Sequence, residues 1–312
     1  MATMKAVRIH EYGGSDVLRY EDAPRPEAGP GEVLIRVHAA GVNPVDVGVR
    51  LGFLQERLRY ALPMIPGWDV SGVVEAVGPG VSRLKVGDEV YSRPDIVRNG
   101  SYAEYIVVKE SEVALKPKSI DHLHAAAIPL AALTAWQALF DAGKLSAGQT
   151  VLIHGAAGGV GNYAVQFAKL KGARVIGTAS ARNHEFLRLL GADQVIDYNT
   201  TKFETVAHDV DVVLDTITGE TADRSYGVIK KGGIYVSILM PPSAEKAAAH
   251  GVRVVHVFVQ PNVGQLDEIA KLVDSGKLRV TIEKVFPLAE ARAAQELSAT
   301  KHTRGKIVLH VR

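Results

Sequence analysis

The sequence predicts an α/β protein in two parts: a doubly wound parallel sheet, and a smaller β domain of partly open barrel type. Three observations carry that expectation. Short β signals separated by Gly/Pro turns fill the first 125 residues. From residue 150 onward strand and helix signals alternate, the rhythm of a parallel sheet wrapped by helices on both faces. Between the first strand and first helix of that run lies a glycine-rich turn, residues 155–161.

Taken in order, residues 1–10 read as a short strand and 33–37 as a compact one, preceded by the proline/glycine run 24–31. Residues 67–77, 86–91 and 102–108 read as further extended segments. Residues 125–142 are rich in alanine and leucine at helical spacing. Six strands then follow at 150–154, 174–178, 194–197, 211–215, 233–237 and 253–257, with helices at 160–171, 184–190 and 221–229. The tail reads as a helix at 265–275, an extended segment at 277–286, a helix at 288–300 and a last strand at 306–310. The expected domains are 1–125 with 263–312, and 126–262.

Composition removes several chemistries. There is no cysteine, so disulfides, thiolate metal sites and thiol nucleophiles are excluded. A formal net charge of +2 gives no basic stripe for nucleic acid or for an anionic membrane. No apolar run reaches the roughly 18 residues of a membrane-spanning helix. The first ten residues, with Lys5 and Arg8, lack the apolar core of a secretion signal, so the expected location is the cytoplasm.

The turn Gly155-Ala156-Ala157-Gly158-Gly159-Val160-Gly161 follows a buried-type strand and opens a helix. That context suits a dinucleotide: small residues let the backbone approach a pyrophosphate, and helix N–H groups meet the anion. Gly161 also lets the helix lie close to the strand. After the second strand, where an NAD site usually carries a carboxylate, the chain reads Ala179-Ser180-Ala181-Arg182-Asn183. Ser180, Arg182 and Asn183 suit a 2′-phosphate, so the expected cofactor is NADPH. Ser180 as a helix cap and Arg182 on a solvated face is the alternative, and both roles can coexist. Asp46 and Asp69, each in a turn-like glycine-rich setting, read as structural carboxylates rather than acid/base groups. His154 reads as packed and hydrogen-bonded.

Several motifs in order carry a resemblance across nearly the whole chain: Ala40-Gly41-Val42-Asn43-Pro44-Val45-Asp46, Pro66-Gly67-Trp68-Asp69-Val70-Ser71-Gly72, Gly87-Asp88-Glu89-Val90, Leu133-Thr134-Ala135-Trp136, the glycine turn, and Gly305-Lys306-Ile307-Val308-Leu309. On these the sequence resembles the medium-chain dehydrogenase/reductase superfamily, in its zinc-independent quinone oxidoreductase (zeta-crystallin-like) branch. The resemblance implies a Rossmann-type sheet domain and a GroES-like, partly open β-barrel catalytic domain. The zinc branch places a cysteine near residue 43 and a histidine after Gly67; here Asn43 and Trp68 stand there, so no metal is expected.

The same resemblance implies site roles. Asn43 and Thr134 would lie beside the nicotinamide. Ala157, Gly158, Gly159 and Val160 would carry the pyrophosphate. Tyr198, Thr216, Leu239, Met240, Phe258 and Val259 would line the cofactor. For Tyr198 and Phe258, core packing is an equal alternative. Gly48, Leu54 and Tyr60 would border the acceptor, in a stretch 47–54 without the tyrosines common in relatives. The implied activity is hydride transfer from NADPH to a quinone or to an α,β-unsaturated carbonyl; the alternative is an NADPH-binding sensor or interaction protein. Residues 253–258 would form the sheet's outer strand, and in this superfamily two such edges pair, so a homodimer is expected.

Overall fold

The computed structural model describes residues 2–312 and divides the chain into two compact units, 1–130 with 260–276 and 280–312, and 131–259 with 277–279. The sequence placed these changes at 125/126 and 262/263. Along the chain run β1 (Thr3–Ile9), β2 (Leu18–Pro24), β3 (Glu32–Val42), α1 (Pro44–Arg50), β4 (Val70–Val77), β5 (Glu89–Ser92), β6 (Tyr105–Lys109), β7 (Val113–Leu115), α2 (His122–Ala126) and α3 (Pro129–Trp136). Next come β8 (Thr150–Ile153), α4 (Gly159–Leu170), β9 (Arg174–Ala179), α5 (His184–Leu189), β10 (Gln194–Asp197), β11 (Val210–Asp215), α6 (Glu220–Ser225), β12 (Ile229–Ser237), α7 (Ala244–Ala249) and β13 (Arg253–His256). The chain closes with α8 (Val263–Asp274), β14 (Ile282–Pro287), α9 (Ala291–Ala299) and β15 (Lys306–His310). Among the described residues no helix is long and apolar enough to cross a membrane.

In the first unit the eleven-residue β3 organises the sheet. One of its sides pairs with β4 from Val33 to Ala40; the other is shared, β6 covering Glu32 to Arg36 and β15 covering Ala39 to Val42. The register of β3 against β4 slips at two places, which increases local twist and lets the sheet curl. Its inner face buries Val33, Ile35, Val37, Val70, Val74, Val90, Ile106 and Val108 in one apolar cluster. Because β15 pairs antiparallel with β3, the start of β15 lies beside the start of α1, with Ile307 opposite Val42.

The second unit is a six-stranded parallel sheet in the order β10-β9-β8-β11-β12-β13. The chain runs outward from β8 to β10, then returns to the other side of β8 for β11 to β13. The carboxyl ends of β8 and β11 therefore form the switch point where such sheets bind ligands. Every residue of β11 is buried, as expected for a strand covered on both faces. Leu152, Ile176, Phe203, Val213, Tyr226 and Tyr235 pack one face.

Several elements differ from the expected pattern: β2, β7 and α7 were not in it, and β14 starts at Ile282 rather than 277. The helix expected over 125–142 breaks into α2, α3 and a π-helical segment Gln137–Ala142, with Pro129 opening α3. The helix expected over 221–229 ends at Ser225, and β12 starts at Ile229 rather than 233. Residues 47–50, the first part of the stretch expected to border the acceptor, belong to α1. Pro44 at its first turn and Asp46 reaching back to the Asn43 N–H close this short helix at its start.

Candidate active site

In the sheet unit the glycine turn connects β8 to α4, and Gly158 is the helix N-cap with no side chain to cap it. The first N–H groups of α4 are thereby left to a ligand. The turn is packed too closely for larger residues. Gly155 sits at φ +66°, and a Cβ there would run into Thr216 Oγ1. A Cβ on Gly161 would strike the Gly155 carbonyl and lie 2.7 Å from Ala156 Cα, so the expected close approach of helix to strand is present. Ala156 N donates to the Thr178 carbonyl at 3.1 Å, tying the turn to β9.

A residue the sequence reading passed over holds this turn from inside. Asn162 is fully buried, and its Nδ2 donates to the Gly158 carbonyl at 2.8 Å and to the Gly159 carbonyl at 2.7 Å. Two carbonyl acceptors can face only the NH2 edge, so the sense of the amide is forced. Its Oδ1 is left without a partner. With these carbonyls turned inward, the N–H groups of the same peptides face the other way.

The other cofactor residues expected from sequence follow the strand ends of this one sheet. Ser180, Arg182 and Asn183 follow β9, and Arg182 is exposed. Ser180 makes no side-chain cap; its hydroxyl instead meets Asn183 Nδ2 at 3.4 Å, and its carbonyl takes the Asn183 N–H. Among 179–183 no carboxylate stands where a ribose 2′-hydroxyl would need one. Tyr198 follows β10 and is 52% exposed, which removes the core-packing alternative for it. Thr216 follows β11 and donates to the His154 carbonyl at 2.8 Å. Leu239 and Met240 follow β12, both exposed, as is Ile217 after β11. Phe258 and Val259 follow β13, half-buried and buried. His154 is packed between Thr178 Oγ1 at 3.2 Å and Ser225 Oγ at 3.0 Å, and burial pushes its imidazole below the usual range. Thr134, in α3 of this unit, is buried.

In the first unit Asn43 is the N-cap of α1 and is buried within a polar cluster. Its Nδ2 donates to Asp69 Oδ2 at 2.8 Å, and its Oδ1 accepts from Lys306 Nζ. Lys306 also donates to the Val42 carbonyl at 3.0 Å and to Asp69 Oδ2 at 3.2 Å. Asp69 Oδ1 takes the Leu130 N–H at 2.5 Å. Asp46 Oδ2 accepts from the Asn43 N–H and from Tyr102 OH, both at 2.8 Å, while Oδ1 has no partner. Both carboxylates thus do the structural work expected of them. Burial pushes Asp46 up to about 7 and raises Asp69; the Lys306 ammonium and the Asn43 amide pull Asp69 back.

The sequence reading missed Lys306 and Tyr102. A lysine in a strand ordinarily points to water, and only the pairing of β15 with β3 brings it under Asn43. Of the acceptor-pocket residues, Gly48 lies on α1 with open space where a Cβ would be, and Leu54 is half-buried. The Tyr60 hydroxyl donates to the Ile96 carbonyl at 2.6 Å, and burial raises it far above its usual range. Zinc does not fit these positions. Asn43 is engaged by an ammonium group, Trp68 is fully buried with its indole N–H on the Arg98 carbonyl, and there is no thiolate.

A glycine turn at the switch point of a parallel sheet, with a separate curled β domain, defines the class of two-domain nucleotide-dependent dehydrogenases and reductases. Residues 29–118 match the alcohol dehydrogenase GroES-like domain family, and 190–309 match the zinc-binding dehydrogenase family. The mouse mitochondrial NAD(P)H oxidoreductase RTN4IP1 is 36% identical over 99% of this chain and 89% of its own length. The chloroplastic NADPH-dependent alkenal/one oxidoreductase of Arabidopsis thaliana is 39% identical over 98% of this chain and 79% of its own. The solved structure of the quinone oxidoreductase from Coxiella burnetii superposes with a TM-score of 0.94, at 38% identity and over 100% of both chains. The chain belongs to the medium-chain dehydrogenase/reductase superfamily, in its zeta-crystallin-like quinone oxidoreductase branch.

Proposed function

We propose that the chain is an NADPH-dependent, zinc-independent oxidoreductase acting on quinones or α,β-unsaturated carbonyls. The carrying observation is the glycine turn at the β8/β11 switch point, followed after β9 by Ser180, Arg182 and Asn183 with no carboxylate. The turn's N–H groups and the positive end of α4 hold a pyrophosphate. The guanidinium of Arg182 and the Ser180 and Asn183 side chains take the 2′-phosphate. Tyr198, Thr216, Leu239, Met240, Phe258 and Val259 flank the cofactor along the strand ends, and the exposed apolar members displace water from it. NADPH supplies the hydride.

The acceptor class follows from what the residues lack. Without a Lewis acid, and with the Tyr60 hydroxyl committed to a backbone carbonyl, the site suits acceptors that stabilise their own charge. Quinones and conjugated enones do so; unactivated ketones do not. Two relatives, an alkenal/one oxidoreductase and a quinone oxidoreductase, act on the same two acceptor classes by name. Steady-state oxidation of NADPH against a quinone panel and an enone panel tests the reading and separates the two. Tight NADPH binding with no turnover on either panel would mark a sensor instead.

We further propose a homodimer formed through β13. It is an edge strand, hydrogen-bonded to β12 on one side, and its residues 254–256 are half-buried. Sedimentation of the chain as a monomer at micromolar concentration would contradict this.

A further inference from the structure

We propose that Lys306 is a positioning residue: it fixes the sense of the Asn43 amide, so that Asn43 meets its ligand as a hydrogen-bond donor to a carbonyl-type oxygen. This rests on the reading of the chain as a reductase. An amide can sit in two senses that look alike in shape, and its neighbours decide between them. Here the neighbours leave no choice. Asp69 Oδ2 only accepts, so the atom facing it at 2.8 Å must be Nδ2; Lys306 Nζ only donates, so the atom it meets must be Oδ1. One Nδ2–H is spent on Asp69, and Asn43 has no other side-chain donor bond among the described residues. The remaining Nδ2–H is what the amide offers to a ligand.

Lys306 is itself held without slack. It is 3% exposed, and its three donors go to the Val42 carbonyl, Asn43 Oδ1 and Asp69 Oδ2. Its place is set by the β15–β3 register that puts Ile307 opposite Val42. Asp69 is anchored in turn by the Leu130 N–H. A buried carboxylate and a buried ammonium thus clamp one amide from two sides. A lone buried charge of either sign would be strongly unfavourable, so the pair holds together as a unit.

The test uses Lys306→Arg, the double variant Lys306→Met/Asp69→Asn, and Asn43→Ala. The double variant removes both charges at once, so neither is left buried alone, and the amide it introduces in place of the Asp69 carboxylate can face Asn43 with either polarity. In the ligand-free chain, the two Asn43 side-chain N–H signals in nitrogen-15 NMR, assigned by their loss in Asn43→Ala, should move and broaden in the double variant. In Lys306→Arg they should stay near their original positions. With NADPH and an acceptor, the double variant should lower kcat/KM on the order of 10- to 100-fold, as loss of orientation does, with Lys306→Arg recovering most of it. In the Asn43→Ala background the same double change should cost less than about twofold more, since its effect runs through Asn43.

Undisturbed Asn43 signals, or an undiminished loss in the Asn43→Ala background, would overturn the proposal. A rise in the NADPH dissociation constant would place the oxygen on the cofactor's carboxamide. An unchanged constant with a lowered kcat or raised acceptor KM would place it on the acceptor. If the unaltered chain oxidises no NADPH, the reductase reading fails, and the Asn43 signals still decide the role of Lys306.

Discussion

The side chain of Asn162 reaches back one turn to Gly158, donating to its carbonyl at 2.8 Å from a fully buried position. The bond ties the inside of α4 to the residue that begins it, where no side-chain cap is present. Asn162→Ala removes this bond and the one to Gly159 together. It should cost about 1–3 kcal/mol of stability, the range for leaving buried partners unpaired. NADPH affinity should fall about tenfold, equivalent to roughly 1.4 kcal/mol. Urea denaturation and cofactor fluorescence titration read the two effects separately.

Gly161 and Gly227 make a matched pair for a steric test within the same unit. A methyl group at Gly161 meets backbone that cannot yield, whereas at Gly227 there is nothing within 4 Å. Gly161→Ala should abolish NADPH binding and lower the melting temperature. Gly227→Ala should bind NADPH as before, with stability changed by less than about 1 kcal/mol. Calorimetry with and without cofactor distinguishes them.

Under the proposed function, the guanidinium of Arg182 would select the 2′-phosphate. Arg182→Ala should weaken NADPH binding by about 10- to 100-fold, the worth of one charge-assisted hydrogen bond of roughly 1.5–3 kcal/mol. NADH binding should change little, so the ratio of the two dissociation constants moves toward one. Equal losses for both cofactors would show that Arg182 does not contact the 2′-phosphate.

Asp46 gives a pH signature. Its folded value, pushed up to about 7 by burial, lies above the ordinary carboxyl value of 3.8 that an unfolded chain would show. Between these values the folded state holds a proton that the unfolded state has released, so this group's contribution to stability falls as pH rises from about 4 to about 7. Oδ1, which has no partner, is the oxygen open to that proton. Asp46→Asn cannot titrate, and its stability should lose this downward component over the same window. Parallel slopes for the two proteins in denaturation series from about pH 4 to 8 would contradict the assignment.

The parallel sheet was legible because its strands are short apolar runs set apart by turns, and β8, β9, β10 and β13 begin where the pattern put them. The glycine turn was legible for a similar reason, since close backbone packing leaves few residue choices. The helix α1 was not. It is seven residues long with a glycine inside and valine at alternate positions, a pattern closer to strand or loop, and its capping by Asp46 decides the matter. Asn162 reads as an ordinary helical residue, because its two acceptors belong to main chain. Lys306 was hidden by distance: its partners Asn43 and Asp69 lie 263 and 237 residues away along the chain, and no local pattern marks a lysine that will be buried.

Direct, metal-free hydride transfer from NADPH is the central claim, and one measurement addresses it most closely. NADPH and its 4-deuterated form are oxidised in parallel with an enone and with a quinone, in excess EDTA. The expected result is turnover with at least one acceptor, slower with the deuterated cofactor and indifferent to the chelator. No oxidation with either acceptor, or activity lost in EDTA and restored by zinc, would contradict it.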